Sequence, residues 1–224
     1  MDELIALLKS RLDVLKFLGR AWDLLYLESK SPDVGIRREN LIRLVLENEL
    51  KLKVTAAPYM ERSWDFSVLI GNKERFYSLK TSEGVSPIKI AWDGFPSIER
   101  ARMHKFMHPI LYVKNSKRMK ELAVYVFDVD DLKRVRRDLG DRMWWMPRGG
   151  TNPRGYGIAT VAVKKLMETA VKSGNYVSTN YEPLKLDSLI AEYWSEWYGL
   201  LKRLSRLTFL STCSSASLFS AMLT

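Results

Sequence analysis

The feature that most constrains the fold is a change in hydrophobic periodicity about a quarter of the way along the chain. Apolar residues recur at helical spacing over residues 2–28 and again from about residue 36 to residue 50, which predicts amphipathic helices in both segments. From residue 63 apolar and polar residues alternate in SWDFSVLIGN, and they alternate again in RFYSLKTS. The first run ends with the turn-forming residues Gly71 and Asn72. The sequence therefore predicts a β-hairpin with its turn at residues 71–74.

The rest of the chain alternates between patterns typical of strands and patterns typical of helices. We expect strands within residues 86–96, 108–116, 120–129 and 157–166, and helices at 97–106, 129–140 and 184–207. Helices followed by a hairpin-led sheet predict an α/β domain with a central mixed β-sheet, flanking helices and further helices at both termini. The 224 residues fit a single domain. Residues 207–224 carry no charge and are rich in Ser and Thr, so we expect a weakly ordered tail there.

The net charge of the chain is +10, and the excess is concentrated in one quarter of the sequence. Residues 100–154 contain fourteen Lys and Arg residues against six Asp and Glu residues. Such a local excess attracts a polyanion and releases its counterions, although a solvated surface or an anionic membrane would use the same charge. The single cysteine excludes a disulfide framework. The acidic, amphipathic start is unlike a secretory signal, so we expect a cytoplasmic protein without a membrane span.

The predicted hairpin brings three polar residues together. Asp65 begins the first strand, and Ser78 and Lys80 lie two positions apart on the second, so that both point to one face. Twelve residues separate Asp65 from Ser78, which is enough for two short strands and a tight turn. A carboxylate there can hold a divalent cation, and a lysine beside it can orient a water or support a phosphorus centre under attack. The alternative is an ordinary strand start with a solvent-facing lysine.

This arrangement resembles the PD-(D/E)xK nuclease superfamily, which includes most type II restriction endonucleases. The resemblance covers roughly residues 36–128, the expected nuclease core, and it implies a restriction-endonuclease-like core and Mg²⁺ as cofactor. It also implies a glutamate from the preceding helix, and Glu39 occupies that place, with Glu47 and Glu49 as further choices. Among restriction enzymes, the size, the basic charge and the hairpin are most similar to the ThaI type.

Two positions depart from the superfamily pattern. Ser78 stands where an acid is usual, and Trp64 rather than proline precedes Asp65. Some restriction enzymes with Ser-x-Lys recover the missing carboxylate about a dozen residues later. By that spacing Asp93 becomes the second metal ligand beside Asp65. The following helix offers Glu99, and Glu83 is a third choice.

Several residues are candidates for DNA contact. Residues 129–182 form a basic region that we expect to touch DNA, and within it the loop at residues 146–156 carries the arginines that could reach guanine edges. Ser82 and Lys89 follow the hairpin and would lie near the scissile phosphate, while Met60 and Arg62 precede it. Met60 could wedge between base steps or pack in the core. The candidate DNA-binding residues are Met60, Arg62, Ser82, Lys89, Arg148 and Arg154.

These observations together predict a Mg²⁺-dependent type II restriction endonuclease that hydrolyses phosphodiester bonds of double-stranded DNA at a short palindromic site. The expected catalytic residues are Asp65, Lys80, Ser78 and Glu39. Excess apolar surface on the first and last helices predicts a homodimer, unless those helices simply pack on each other and on the sheet. The alternative function is a non-catalytic basic DNA-binding protein, which would have no use for a carboxylate beside Lys80.

Overall fold

The computed structural model describes residues 1–26, 34–147 and 153–219, with side chains up to residue 203 and excluding that of Val34. Within these ranges a 3₁₀ turn spans Gly140–Met143. The helices are α1 (Glu3–Ser10), α2 (Leu12–Leu24), α3 (Val34–Glu49), α4 (Ile98–Arg102), α5 (Val129–Leu139), α6 (Thr160–Lys172) and α7 (Leu186–Phe219). The strands are β1 (Lys53–Ala56), β2 (Phe66–Ile70), β3 (Lys73–Ser82), β4 (Ile88–Ala91), β5 (Ile110–Ser116), β6 (Glu121–Phe127), β7 (Trp144–Trp145), β8 (Tyr156–Ile158) and β9 (Tyr176–Asn180).

The strands form two sheets. The larger sheet has the order β1-β2-β3-β5-β6-β9. Strands β3 and β5 pair in parallel, whereas the other neighbours in this sheet are antiparallel. The smaller sheet has the order β4-β8-β7 and is antiparallel. The predicted α/β architecture with a central mixed sheet is therefore confirmed.

The central sheet is buried on both faces. Along β5, Leu111 and Val113 belong to one buried cluster and Ile110 and Tyr112 to another, because successive side chains of a strand point to opposite faces. The first cluster contains the buried residues of α1, α2 and α3, and the second contains those of α4, α5, α6 and the smaller sheet. The molecule is thus layered, with helices on both sides of the larger sheet.

The predicted hairpin is confirmed, but its turn is shorter than expected, because Lys73 and Glu74 already belong to β3. Strands β2 and β3 pair from Phe66 with Tyr77 to Ile70 with Lys73. The turn between them holds Gly71 at φ +58°, a left-handed conformation that glycine adopts at no steric cost.

The strand expected at residues 157–166 is wrong over most of its length. Strand β8 ends at Ile158, and helix α6 begins at Thr160. The buried residues Ala162, Val163, Leu166 and Ala170 recur at helical spacing, and this burial outweighs the strand preference of the β-branched residues. The helix expected at 97–106 is also shorter, since α4 ends at Arg102.

Helix α7 is the longest helix of the described chain, with 34 residues, or about 51 Å of axial length. Its described side chains leave a row of large apolar residues exposed, namely Trp194, Trp197, Tyr198, Leu200 and Leu201. No helix within the described residues combines the length and the apolar character needed to cross a bilayer. The tail expected at 207–224 begins inside this helix, and residues 220–224 lie outside the described residues. Its weak order stays a prediction.

Candidate active site

Asp65 is held by the hairpin on which it was predicted. Its backbone N–H donates to the carbonyl of Tyr77 at 2.8 Å, directly before the first β2–β3 pair. One carboxylate oxygen, Oδ2, accepts hydrogen bonds from the Leu79 backbone N–H at 2.5 Å and from the Ser78 hydroxyl at 3.3 Å. The side chain is therefore fixed at the start of β2, where about a third of it remains exposed.

Lys80 lies beside this carboxylate. Its Nζ is 3.2 Å from Asp65 Oδ2 and also donates to the Leu79 carbonyl at 2.9 Å. Only 18% of the Lys80 side chain is exposed. The predicted convergence of Asp65, Ser78 and Lys80 is what the structure has, because the antiparallel pairing of β2 and β3 fixes their register.

Helix α3 supplies a second carboxylate. Ile42, Val45 and Leu46 are buried in the first core cluster, which holds α3 against the sheet. Glu39, one turn before Ile42, lines the same cavity as Asp65. Burial raises the pKa of Glu39, and the nearby negative charge of Asp65 raises it further, against smaller opposing effects of Arg43 and Lys80. The carboxylates of Asp65 and Glu39 therefore face the same space, and the charge of Asp65 disfavours ionisation of Glu39.

The cavity between these elements has a volume of about 560 Å³. Of the lining residues that the structure describes, three are cationic and two are carboxylates. Its polar lining includes Arg38, Glu39, Asp65, Lys80, Thr81, Ser82 and Lys89. Of the residues predicted from the sequence, the cavity brings together Glu39, Asp65, Lys80, Ser82 and Lys89. Burial lowers the pKa of Lys89.

The three acids considered as a further metal ligand lie elsewhere. Asp93 is exposed and pairs with Arg62 at 3.3 Å and with Arg100 at 3.7 Å. Glu99 accepts a hydrogen bond from the Ser97 hydroxyl at 2.7 Å on the first turn of α4. Neither is among the residues that line the cavity.

Glu83 is occupied by a cluster of its own. It accepts a hydrogen bond from the Tyr26 hydroxyl and lies 2.7 Å from Arg38 Nη2 and 3.5 Å from Lys117 Nζ. Burial opposes ionisation of Glu83, but the Tyr26 hydrogen bond and the two cations outweigh burial and lower its pKa. Glu83 thus neutralises Arg38, a cavity residue that sequence reasoning missed and that is only 8% exposed. Arg38 directly precedes Glu39 in the chain, and this position is the signal that could have indicated it.

The candidate DNA-binding residues fall in several places. Ser82 hydrogen-bonds within its own turn, to the Gly84 carbonyl at 2.5 Å and the Ser86 hydroxyl at 3.2 Å. Met60 is 76% exposed, so the core-packing alternative for it is wrong. Arg154 is exposed, and Arg148 lies outside the described residues. Trp144 on β7 is buried in the second core cluster, unlike the exposed Met60 and Arg154.

The loop that carries Arg154 is held against the strand that carries Lys89. Lys89 pairs with Gly157 between β4 and β8, and the Gly155 N–H donates to the Gly94 carbonyl at 2.8 Å. Gly155 has φ +75°, and a Cβ there would lie 1.8 Å from the Ala91 carbonyl oxygen. Glycine is therefore required at residue 155, and the close contact places Arg154 beside the loop that follows β4.

Among the residues that the structure describes, the carboxylates of Asp65 and Glu39 line the cavity and set its capacity for a cation. Within the described ranges no cluster of three or more His, Cys, Asp or Glu residues is placed to hold a metal ion. Mg²⁺ usually keeps several waters and is bound by one or two carboxylates together with substrate phosphates. Asp65 and Glu39 fit that requirement, and a cation held by them would offset the burial and the repulsion by Asp65 that together raise the pKa of Glu39. The residues present therefore fit Mg²⁺.

Comparison with known proteins bears on the fold. A solved structure described as "Restriction endonuclease in complex with substrate DNA" is similar to this chain, with a TM-score of 0.58 and 22% sequence identity. The match covers 87% of this chain and 100% of that one. The chain has a restriction-endonuclease-like fold. No protein-family model matches the sequence, and a search of curated proteins finds no match either.

Proposed function

We propose that the chain is a Mg²⁺-dependent endodeoxyribonuclease that hydrolyses phosphodiester bonds of double-stranded DNA, and specifically a type II restriction endonuclease. The observation that carries the proposal is the convergence of Asp65, Lys80 and Glu39 on one cavity. The similar solved structure is a restriction endonuclease in complex with substrate DNA, which supports the same reaction class. Size, basic charge and the hairpin favour the ThaI type within that class.

The chemistry divides between the cation and the side chains. Asp65 and Glu39 would hold Mg²⁺, and the chemistry that this ion would supply is polarisation of the phosphate and a lower pKa of the water. Lys80 donates to an oxygen of the phosphate or of the water, and its contact with Asp65 holds its ammonium group in position. Ser78 and the Leu79 N–H keep the Asp65 carboxylate oriented, which limits the reorganisation needed during the reaction.

The surroundings of the cavity suit a polyanionic substrate. Lys89 and Ser82 line the cavity, and we assign them to phosphates next to the scissile one, contacts that would fix position without reading sequence. Arg62 and the exposed Met60 precede β2, and Met60 can insert between base steps. We assign the exposed Arg154 to contact with a guanine edge or with a phosphate.

A homodimer would complete the enzyme. A palindromic site has two-fold symmetry, and a two-fold symmetric dimer presents one active site to each strand. The exposed apolar row on α7, with Trp194, Trp197 and Leu201 among its members, is the surface that we assign to the dimer contact. Obligate interfaces of this kind are enriched in aromatic residues.

The rival function is that of a basic DNA-binding protein without catalysis. Incubation of supercoiled plasmid and of a mixed linear DNA with the protein and Mg²⁺ separates the two. We expect discrete fragments that are absent when a chelator is added. A smear would indicate a nuclease without sequence specificity, and a band shift with no cutting at any Mg²⁺ concentration would favour the rival.

A further inference from the structure

Two loops beside the cavity expose large apolar side chains. The loop after β4 carries Trp92 and Phe95, which are 62% and 89% exposed, and the loop before β2 carries Tyr59 and Met60, which are also exposed. Trp92 is at the same time part of the cavity lining. Such residues are usually buried, and exposed apolar groups gathered at one place mark an interaction surface.

The backbone of the loop after β4 is firmly held although its aromatic side chains are exposed. Arg100 Nη1 donates to the carbonyls of Asp93 at 3.1 Å and of Phe95 at 3.3 Å. Gly94 has φ +67°, and a Cβ there would lie 2.1 Å from Arg100 Nη1, so any other residue would be strained in this conformation and would displace the Arg100 guanidinium. A loop fixed in one conformation presents its side chains at a lower ordering cost on binding.

Ion pairs join the two loops, and cationic side chains surround them. The Asp93 carboxylate bridges Arg62 and Arg100. These ion pairs occupy the carboxylate that the sequence predicted as a metal ligand. Lys89 Nζ lies 4.6 Å from the centre of the Trp92 ring. Aromatic faces beside cations are the combination by which proteins bind bases and phosphates of unpaired or distorted nucleic acid.

Resting on the proposed function, we propose that Trp92 and Phe95 form a stacking platform for bases that leave the helical stack next to the phosphate in the cavity. The continuity of Trp92 with the cavity favours DNA as the occupant. The neighbouring cations favour a polyanion over a second copy of this chain, whose net charge is also +10. The platform would offset the cost of unstacking, so the DNA would be kinked or opened at the cut.

The test uses full-length protein and duplexes that carry the fluorescent base 2-aminopurine at each position flanking the cut, after the cut is mapped with the wild type. With a chelator to prevent cleavage, saturating wild-type protein should change the fluorescence at a position next to the cut. Trp92→Ala and Phe95→Ala should each abolish that change and weaken binding roughly five- to 150-fold. Trp92→Phe, which keeps an aromatic face, should retain the change.

Phe17→Ala is the matched control, because Phe17 is an exposed phenylalanine of α2 that is absent from the cavity lining. It should bind and signal as the wild type does. If DNA is cut but Trp92→Ala and Phe95→Ala give the wild-type signal at saturation, the platform is refuted and the nuclease proposal stands. If Trp92→Ala instead lowers the oligomer mass in light scattering and leaves the DNA signal unchanged, the loop binds a second copy and the platform is again refuted. A wild type that neither binds nor cuts DNA refutes both.

Discussion

Replacing Gly155 by alanine tests how the smaller sheet is held beside the candidate active site. A Cβ at residue 155 would lie 1.8 Å from the Ala91 carbonyl oxygen, 2.5 Å from the Ala91 carbonyl carbon and 3.0 Å from the Trp92 nitrogen. All three are backbone atoms, so no side chain can rotate away to make room. Strand β4 must move away from residue 155, or the backbone there must leave φ +75°.

Two costs of this substitution can be estimated. A non-glycine residue in a left-handed conformation costs about 1–3 kcal/mol. Separating β4 from β8 next to their pairing of Ala91 with Tyr156 costs about 0.5–1.5 kcal/mol for each hydrogen bond lost. We therefore expect the free energy of unfolding to fall by about 3 kcal/mol, which for a chain of this size lowers the melting temperature by about 6–12 °C.

Thermal unfolding followed by circular dichroism measures this effect, with Gly84→Ala as the matched control. A Cβ at residue 84 meets nothing within 4 Å, so the control should melt close to the wild type. Because the movement would displace Trp92 and Lys89, Gly155→Ala should also bind DNA more weakly at a temperature where it is folded. A melting temperature within about 2 °C of the wild type would refute the reasoning.

Three further predictions concern charge and assembly. Glu83→Ala leaves the buried Arg38 without its 2.7 Å partner and should cost about 3 kcal/mol in urea unfolding. Glu39 must be ionised to hold Mg²⁺, and burial together with the charge of Asp65 raises its pKa. The cleavage rate should therefore fall with acid at a pH above the 4.5 of an ordinary glutamate, and higher Mg²⁺ should move that fall to lower pH. Light scattering should give a dimer mass that Trp197→Glu reduces to a monomer and that Val171→Glu, an exposed apolar position on α6, leaves unchanged.

The parts of the fold that could be predicted from the sequence are those decided by local pattern. The hairpin of β2 and β3 follows from alternation and from a glycine at the turn, and both are visible in residues 63–82. Helix α6 was predicted as a strand because its valines favour strands locally, while the buried spacing that makes it a helix depends on packing against the second core cluster. Strand β9 was missed, since its five residues gain their pairing only from β6.

The candidate site also contains residues that could be placed from the sequence and residues that could not. Asp65, Ser78 and Lys80 could be placed from the sequence because one hairpin carries all three. Asp93 and Glu83 could not be resolved by spacing, because their partners Arg62, Arg100, Arg38 and Lys117 come from other segments. Trp92 and Phe95 were missed for another reason. Aromatic residues are usually buried, and nothing in the sequence marks these two as exposed.

The central claim is that Asp65 and Lys80, 3.2 Å apart, act on one phosphate. Single-turnover cleavage of a duplex containing the mapped site, measured with Mg²⁺ for Asp65→Ala and Lys80→Ala, tests it most directly. Each variant should lose at least about a hundredfold in rate while its DNA binding remains largely intact. Asp13→Ala removes an exposed carboxylate paired with Arg11 and should cut as the wild type does. Cleavage at a near wild-type rate by either active-site variant would contradict the account.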